Sequence, residues 1–346
     1  MNTQALIDTA KALLADGKGL LAMDESNATC NQRFAALGIA PTPEMRRAWR
    51  ELLLTAPALN AHISGVILFD ETMHQASSDG TPFAQVAQDA GILIGIKVDT
   101  GAKDLAGHFG EKVTEGLDGL RERLEAYFDQ GARFAKWRGV IAIDDSRSLS
   151  TLPTQACIQA NAHALARYAA TCQEAGLVPI IEPEVLMQGT HTQARCQAVT
   201  EAVLRSVFEQ LAQQGVLLEA VVLKPNMVTS GLACTTQNTA FEVAKATLQC
   251  LLRSVPAAVP GIAFLSGGQS GEQASSRLNA MHSVQAVDAL PWKLTFSFAR
   301  ALQNPALEIW AGHDANQTAA QAALLHRAQC NSAALRGEYT DAMEAT

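Results

Sequence analysis

The stretch Ala220-Val-Val-Leu-Lys-Pro-Asn226 sets one lysine at the end of a run of branched apolar residues. Such a run suits a strand buried on both faces. The proline directly after it should end the strand, which puts Lys224 at the carboxyl rim of its sheet. An ammonium among apolar neighbours loses hydration, its pKa falls, and the free amine can attack a carbonyl to form a Schiff base. An ion-paired lysine at a strand end fits this segment equally well. Two other segments carry charged residues at i and i+2, a spacing that turns both side chains to one side of a sheet. Lys136 and Arg138 stand so in Phe134-Ala-Lys-Trp-Arg138, and Glu182 and Glu184 flank Pro183. If both pairs face inward, cations and carboxylates meet near Lys224. Opposed surroundings could then raise one glutamate's pKa for proton transfer while its partner stays ionised. A purely structural salt-bridge layer is the alternative.

A further motif is Phe264-Leu-Ser-Gly-Gly-Gln-Ser-Gly271, which leads from an apolar run into a helical pattern. At Ser266, Gly267 and Gly268 the backbone can turn its N–H groups toward an anion, helped by the helix N-terminus. Arg300 can supply a matching guanidinium, and phosphate is the anion such loops hold in barrels. The histidines at 62, 74, 108, 163, 191, 282, 313 and 326 form no ligand-spaced cluster and none ends an expected strand. No metal or other cofactor is therefore expected at the reacting centre.

Elements must bring these residues together. Period-two and continuous apolar runs predict eight strands, at Gly19–Asp24, Ile63–Asp70, Ile92–Val98, Ala132–Val140, Leu177–Glu184, Leu218–Lys224, Gly261–Ser266 and Leu294–Arg300. Helical patterns fill most gaps, at Glu44–Leu54, Leu117–Gln130, Thr154–Ala175, Gln193–Gln214, Phe241–Ser254 and Gly271–Met281, after a first amphipathic helix over Met1–Asp16. Eight strands alternating with helices in 346 residues make a single (β/α)8 barrel the simplest fold, one domain over 1–346 with a short mobile tail at 337–346. A doubly wound sheet is the runner-up, but no G-x-G-x-x-G follows the first strand. A barrel gathers its site at the carboxyl ends of its strands, and here those ends read Asp24, Asp70-Glu71, Lys97, Lys136 and Arg138, Glu182 and Glu184, Lys224, Ser266 and Arg300. A net charge of −8 gives no global footprint for nucleic acid or membrane, while a local basic pocket could still hold an anionic small molecule. The seven cysteines are scattered without a Cys-x-x-Cys pair and no secretory pattern opens the chain, so reduced thiols in the cytoplasm are expected.

From Gly19 to about Leu335 the chain resembles class I (Schiff-base) fructose-1,6-bisphosphate aldolase, and Asp24-Glu-Ser-Asn-Ala-Thr-Cys30 looks like its plant and cyanobacterial branch. The resemblance rests also on Gly95-Ile-Lys-Val-Asp99, Phe134-Ala-Lys-Trp-Arg138, Pro179-Ile-Ile-Glu-Pro-Glu184, Leu223-Lys-Pro-Asn-Met-Val228 and Phe264-Leu-Ser-Gly-Gly-Gln269. It implies that Lys224 forms the Schiff base, that Glu182 moves protons, and that Glu184 tunes it. It implies further that Asp24 positions the substrate and assists cleavage, that Lys136 stands beside the reacting carbons, and that Lys97 is another site cation. Ser266, Gly267, Gly268 and Arg300 match a phosphate cradle, and Ser26, Thr29 and Arg33 fall where a second phosphate is contacted. A homotetramer also follows from the resemblance, and sedoheptulose 1,7-bisphosphate is expected as a second substrate because two phosphates on a longer ketose need only modest extra room. A transaldolase-like lyase or a catalytically silent scaffold are the competing readings. Three positions depart from the family pattern: Phe298-Ala299 replaces Tyr-Gly, Gln32 stands where a lysine is common, and the chain closes on Thr346 where animal members have a catalytic tyrosine.

Overall fold

The computed structural model describes residues 2–145, 151–283 and 290–345, so Met1 of the first expected helix and Thr346 lie outside the described residues. Eight strands close into a barrel in sequence order, every neighbouring pair parallel. They are Gly19–Ala22, Ile63–Leu68, Leu93–Lys97, Phe134–Ile141, Val178–Val185, Val222–Leu223, Gly261–Phe264 and Lys293–Phe298. All but the sixth match the expected spans to within two residues. The sixth is cut short because Leu218–Ala220 forms a 3-10 turn. Gln173, from the outer helix Gln155–Glu174 that precedes the fifth strand, holds that turn by donating to Leu217 O at 2.8 Å and accepting from Leu217 N at 2.9 Å. A tertiary side chain thus overrides a run whose local pattern reads as strand.

The barrel is a filled core. Leu6, Ala10, Leu13 and Leu14, from the helix Thr3–Leu13 and its cap, plug the amino-terminal end against Leu20, Ala22, Ile67, Phe134, Ile180, Val222 and Ala263. Glycine is required at Gly95, where an added Cβ would lie 2.1 Å from the Phe134 ring. A second, larger apolar cluster fills the space between the barrel's outer face and the surrounding helices.

Several elements went unread in the sequence. The helix Gln317–Ala334 is rich in alanine and glutamine, so its buried face, including Ala320, Leu324, Ala328 and Cys330, has little apolar contrast. The helix Arg300–Trp310 contains Pro305, which argues against a helix when read locally. Arg300 therefore opens a helix instead of ending the eighth strand. The short helices Asn27–Ala35 and Phe83–Asp89 were also missed, as was the antiparallel hairpin of Gly101–Asp104 with Lys112–Glu115. Of the C-terminal residues, Asp341–Glu344 form a 3-10 turn, and the buried Tyr339 donates its hydroxyl to Glu344 at 2.7 Å.

Candidate active site

On several strands the column facing the barrel axis changes from apolar to charged in one step of two residues. Ala22 precedes Asp24, Phe134 precedes Lys136 and Arg138, Ile180 precedes Glu182 and Glu184, and Val222 precedes Lys224. The lower members lie in the dry floor, and the upper ones meet above it. The pleat makes this possible, because only every second residue of a strand shares a face. Pro225 follows Lys224 and ends the strand, while Lys224 N still donates to Ile181 O at 2.8 Å. The amine is thereby fixed at the first level above the floor.

The charged layer is tightly paired. Lys224 Nζ lies 3.3 Å from Glu182 Oε1, and Lys136 Nζ lies 3.1 Å from Glu182 Oε2. Lys136 also reaches Asp24 Oδ2 at 2.6 Å. Arg138 Nε meets Glu184 Oε2 at 2.5 Å, and Lys97 Nζ meets Asp99 Oδ1 at 2.8 Å. Asp24, Lys136, Glu182, Glu184 and Lys224 are all buried as residues, yet all line one cavity of about 1050 Å³ that opens at the barrel's carboxyl end. The inward-facing reading of both i, i+2 pairs therefore describes the molecule, but the apolar setting expected for Lys224 does not. Its amine has a carboxylate at contact distance.

Electrostatics correct one further expectation. Burial alone would push Glu182 up, but Lys136, Lys224 and Arg138 outweigh it and hold this carboxyl below its ordinary value, so it is a resting base, not a raised acid. Asp24 follows the same logic: burial raises it, and Lys136, Lys224 and Lys97 bring it down to about 2. Burial likewise opposes the charge on Lys136, but Asp24 and Glu182 raise its pKa. A depressed carboxyl contributes stability that is present above its unfolded pKa, 3.8 for Asp24, and is lost as pH falls toward about 2. The unfolding free energy of the wild type should thus exceed that of Asp24→Asn by on the order of 2 kcal/mol at neutral pH. Urea titrations of both proteins should show this gap narrowing below about pH 4. A gap that stays constant into acid would refute the assignment.

The mouth of the cavity suits anions. Ser266 and Gly267 line it, with Gly267 at φ 51°, a conformation natural to glycine, and the helix Gly271–Ser283 begins beyond them. Gly268, at φ 75°, packs against Met187 and does not reach the cavity wall. Arg300 lines the same mouth, is exposed, and makes no ion pair or hydrogen bond among the described residues. Ala299 beside it has φ −104°, so an L side chain sits there without left-handed strain. On another side of the mouth Ser26 caps the helix Asn27–Ala35, accepting from Thr29 N, with the two hydroxyls 3.1 Å apart. Arg33 is ion-paired with Glu25 and donates to Gln303 at 2.8 Å, while Gln32 faces the cavity without adding charge. Tyr339 does not line the cavity.

Several lining residues escaped the sequence reading, four of them polar groups that bear on the charged layer or its walls. Asp99 orients Lys97 and also accepts from Arg138 N at 3.3 Å. Its position two residues after Lys97 is the same spacing that exposed the other pairs, so that signal was present. Glu25 bridges Arg33 and Arg50, the latter at 2.8 Å, an arrangement no local pattern announces. Ser297, on the eighth strand, has a buried hydroxyl without a hydrogen-bond partner among the described residues. Arg123 lines the outer wall and donates to Val98 O at 2.8 Å.

A closed parallel barrel with a buried amine–carboxylate layer at its carboxyl rim and cationic groups around the mouth defines a barrel suited to carbonyl chemistry on an anionic substrate. The family described as fructose-bisphosphate aldolase class-I matches residues 5–346. This chain belongs to that family. A probable fructose-bisphosphate aldolase class 1 of Xanthomonas campestris is 53% identical over 98% of this chain and 99% of its own. Fructose-bisphosphate aldolase B of Gallus gallus is 51% identical over 97% of this chain and 91% of its own. The cytosolic aldolase 5 of Arabidopsis thaliana is 50% identical over the same shares, so animal and plant relatives stand at nearly equal similarity. Among solved structures, a Plasmodium falciparum fructose-bisphosphate aldolase in complex with TRAP and a small-molecule inhibitor superposes with a TM-score of 0.94. It is 45% identical, over 97% of this chain and 95% of that one.

Proposed function

We propose that Lys224 is the Schiff-base nucleophile of this class I fructose-bisphosphate aldolase and that Glu182 is its proton carrier. The reaction is the reversible, metal-independent cleavage of fructose 1,6-bisphosphate to dihydroxyacetone phosphate and glyceraldehyde 3-phosphate. The observation that carries the residue assignment is the 3.3 Å contact between Lys224 Nζ and Glu182 Oε1.

In the resting layer the ammonium of Lys224 faces an ionised Glu182. Transfer of one proton to Glu182 leaves a neutral amine that attacks C2 of the open-chain ketose. The loss of the ammonium charge removes one of the cations depressing Glu182, so the carboxyl now retains its proton. It gives that proton to the carbinolamine hydroxyl, water departs, and a protonated imine remains. The imine accepts the electron pair of the C3–C4 bond as the C4 hydroxyl proton returns to Glu182 and the aldehyde leaves. Protonation of the enamine at C3 and hydrolysis of the imine then release dihydroxyacetone phosphate. Asp24, held at about 2 and bound to Lys136, is too weak a base for this traffic and serves to position Lys136 and the substrate hydroxyls. Glu184 and Arg138 fix the electrostatic setting of Glu182 from the next level up, and Lys97 bears on the substrate from the third strand.

The phosphates are assigned to the two cationic sides of the mouth. One is Ser266, Gly267 and Arg300, and the other is Ser26, Thr29 and Arg33. A cavity of about 1050 Å³ has room for a longer ketose, which favours sedoheptulose 1,7-bisphosphate as a second substrate. Homotetrameric assembly is proposed on family resemblance, and cytoplasmic placement also on the cytosolic plant relatives. No helix among the described residues is long and apolar enough to cross a membrane.

Borohydride reduction in the presence of dihydroxyacetone phosphate, followed by peptide mass mapping, tests the assignment. A reduced adduct on Lys224 is expected. An adduct on Lys97 or Lys136, or none on folded protein, would overturn it.

A further inference from the structure

On the outer helix Gln317–Ala334, His326 and Cys330 are separated by one helical turn and share a face. His326 Nε2 and Cys330 Sγ are 3.6 Å apart. Glu344, from the 3-10 turn Asp341–Glu344, completes the group, and the three ligand atoms all lie within 4.8 Å of one another. None of the three lines the Lys224 cavity.

The spacing is that of a metal centre. A tetrahedral zinc with Zn–S of about 2.3 Å and Zn–N of about 2.0–2.1 Å has an S···N edge of roughly 3.5–3.6 Å. The helix therefore already holds the imidazole and thiol at the separation of an occupied site. Glu344 accepts from Arg327 on both oxygens and from Tyr339 on Oε1. A carboxylate offers about four lone-pair positions, so Oε2 retains one for a cation while the other contacts persist. Cys330 is buried, whereas His326 and Glu344 are partly exposed, which leaves the fourth position open to water. One imidazole, one thiolate and one carboxylate select zinc over magnesium or calcium, which prefer oxygen alone.

We propose that His326, Cys330 and Glu344 form a zinc-binding site that clamps the C-terminal segment to the outer helix. On binding, the Cys330 S–H bond breaks, its proton leaves to solvent, and the thiolate donates to the metal with no change of oxidation state. The clamp would also fix Arg327, which donates to Ser275 at 2.7 Å and packs where a Cβ on Gly271 would meet its Nε at 2.8 Å. It thus braces the helix that follows the Ser266–Gly268 turn.

The test uses the full, untagged chain, stripped of metal by chelator and titrated with cobalt(II) as a spectroscopic substitute for zinc. Expected are a thiolate-to-cobalt charge-transfer band in the near ultraviolet and intense visible bands of tetrahedral cobalt, both displaced by zinc. Cys330→Ser should abolish the charge-transfer band. His326→Gln, at a partly exposed position that tolerates change, should weaken binding, and Tyr339→Phe, which frees the outer partner of Glu344, should weaken it by roughly tenfold. Absence of the band in the wild type, or a band that survives both Cys330→Ser and His326→Gln, would overturn the proposal.

Discussion

Lys224→Ala should eliminate borohydride trapping altogether and lower turnover by on the order of 10⁵- to 10⁶-fold, the scale of removing a catalytic nucleophile. No neighbouring amine is placed to take over. Lys136 sits between Asp24 and Glu182, whose negative charges outweigh its burial and raise its pKa, so it remains an ammonium. Lys97 is tied to Asp99 by side chain and backbone, at 2.8 and 3.0 Å. The variant should still fold, because the apolar floor beneath Lys224 is built from other residues, among them Ala22, Phe134, Ile180 and Val222. Circular dichroism and single-turnover assays with fructose 1,6-bisphosphate separate these outcomes. Trapping that persists in a folded Lys224→Ala protein would remove the nucleophile from this position.

Glu182→Gln should lower kcat by about 10²- to 10⁴-fold, the range for loss of a positioned acid–base group. Its signature differs from that of Lys224→Ala, since the nucleophile survives. The reduced adduct should still form on Lys224, only more slowly, because the amine has lost the group that takes its proton and later expels the carbinolamine hydroxyl. The amide also leaves Lys136 and Lys224 with less compensating charge in a buried layer, so a lower Tm should accompany the kinetic effect. A variant that reacts at the wild-type rate in rapid-quench cleavage would transfer the proton work to Asp24 or to a water.

The elements were legible wherever one local signal sufficed. Branched apolar runs located the barrel strands, because a strand covered on both faces needs no polar residue until its end. Legibility failed where a distant group stabilised the backbone. Gln173 turns Leu218–Ala220 away from the sheet, and helix packing makes Gln317–Ala334 a core element despite its weak contrast. Arg300 shows a subtler limit. Its place near the end of the eighth strand was readable, but its role in opening the helix Arg300–Trp310 was hidden by Pro305.

The site divides in the same way. The sequence by itself determined which residues share the barrel axis, since the two-residue pleat and the stop at Pro225 are properties of the local chain. It also determined the residue types available, an amine with two carboxylates close in the fold and an anion-suited turn. Only the tertiary structure decided the pairing and hence the charge states. Glu182 was open to a raised pKa as long as its neighbours were unknown. Once closure sets Lys136 and Lys224 against its two oxygens, the summed field of cations drawn from two strands outweighs its burial and keeps it ionised. That field depends on distances across the barrel, and closure of the sheet is what sets them.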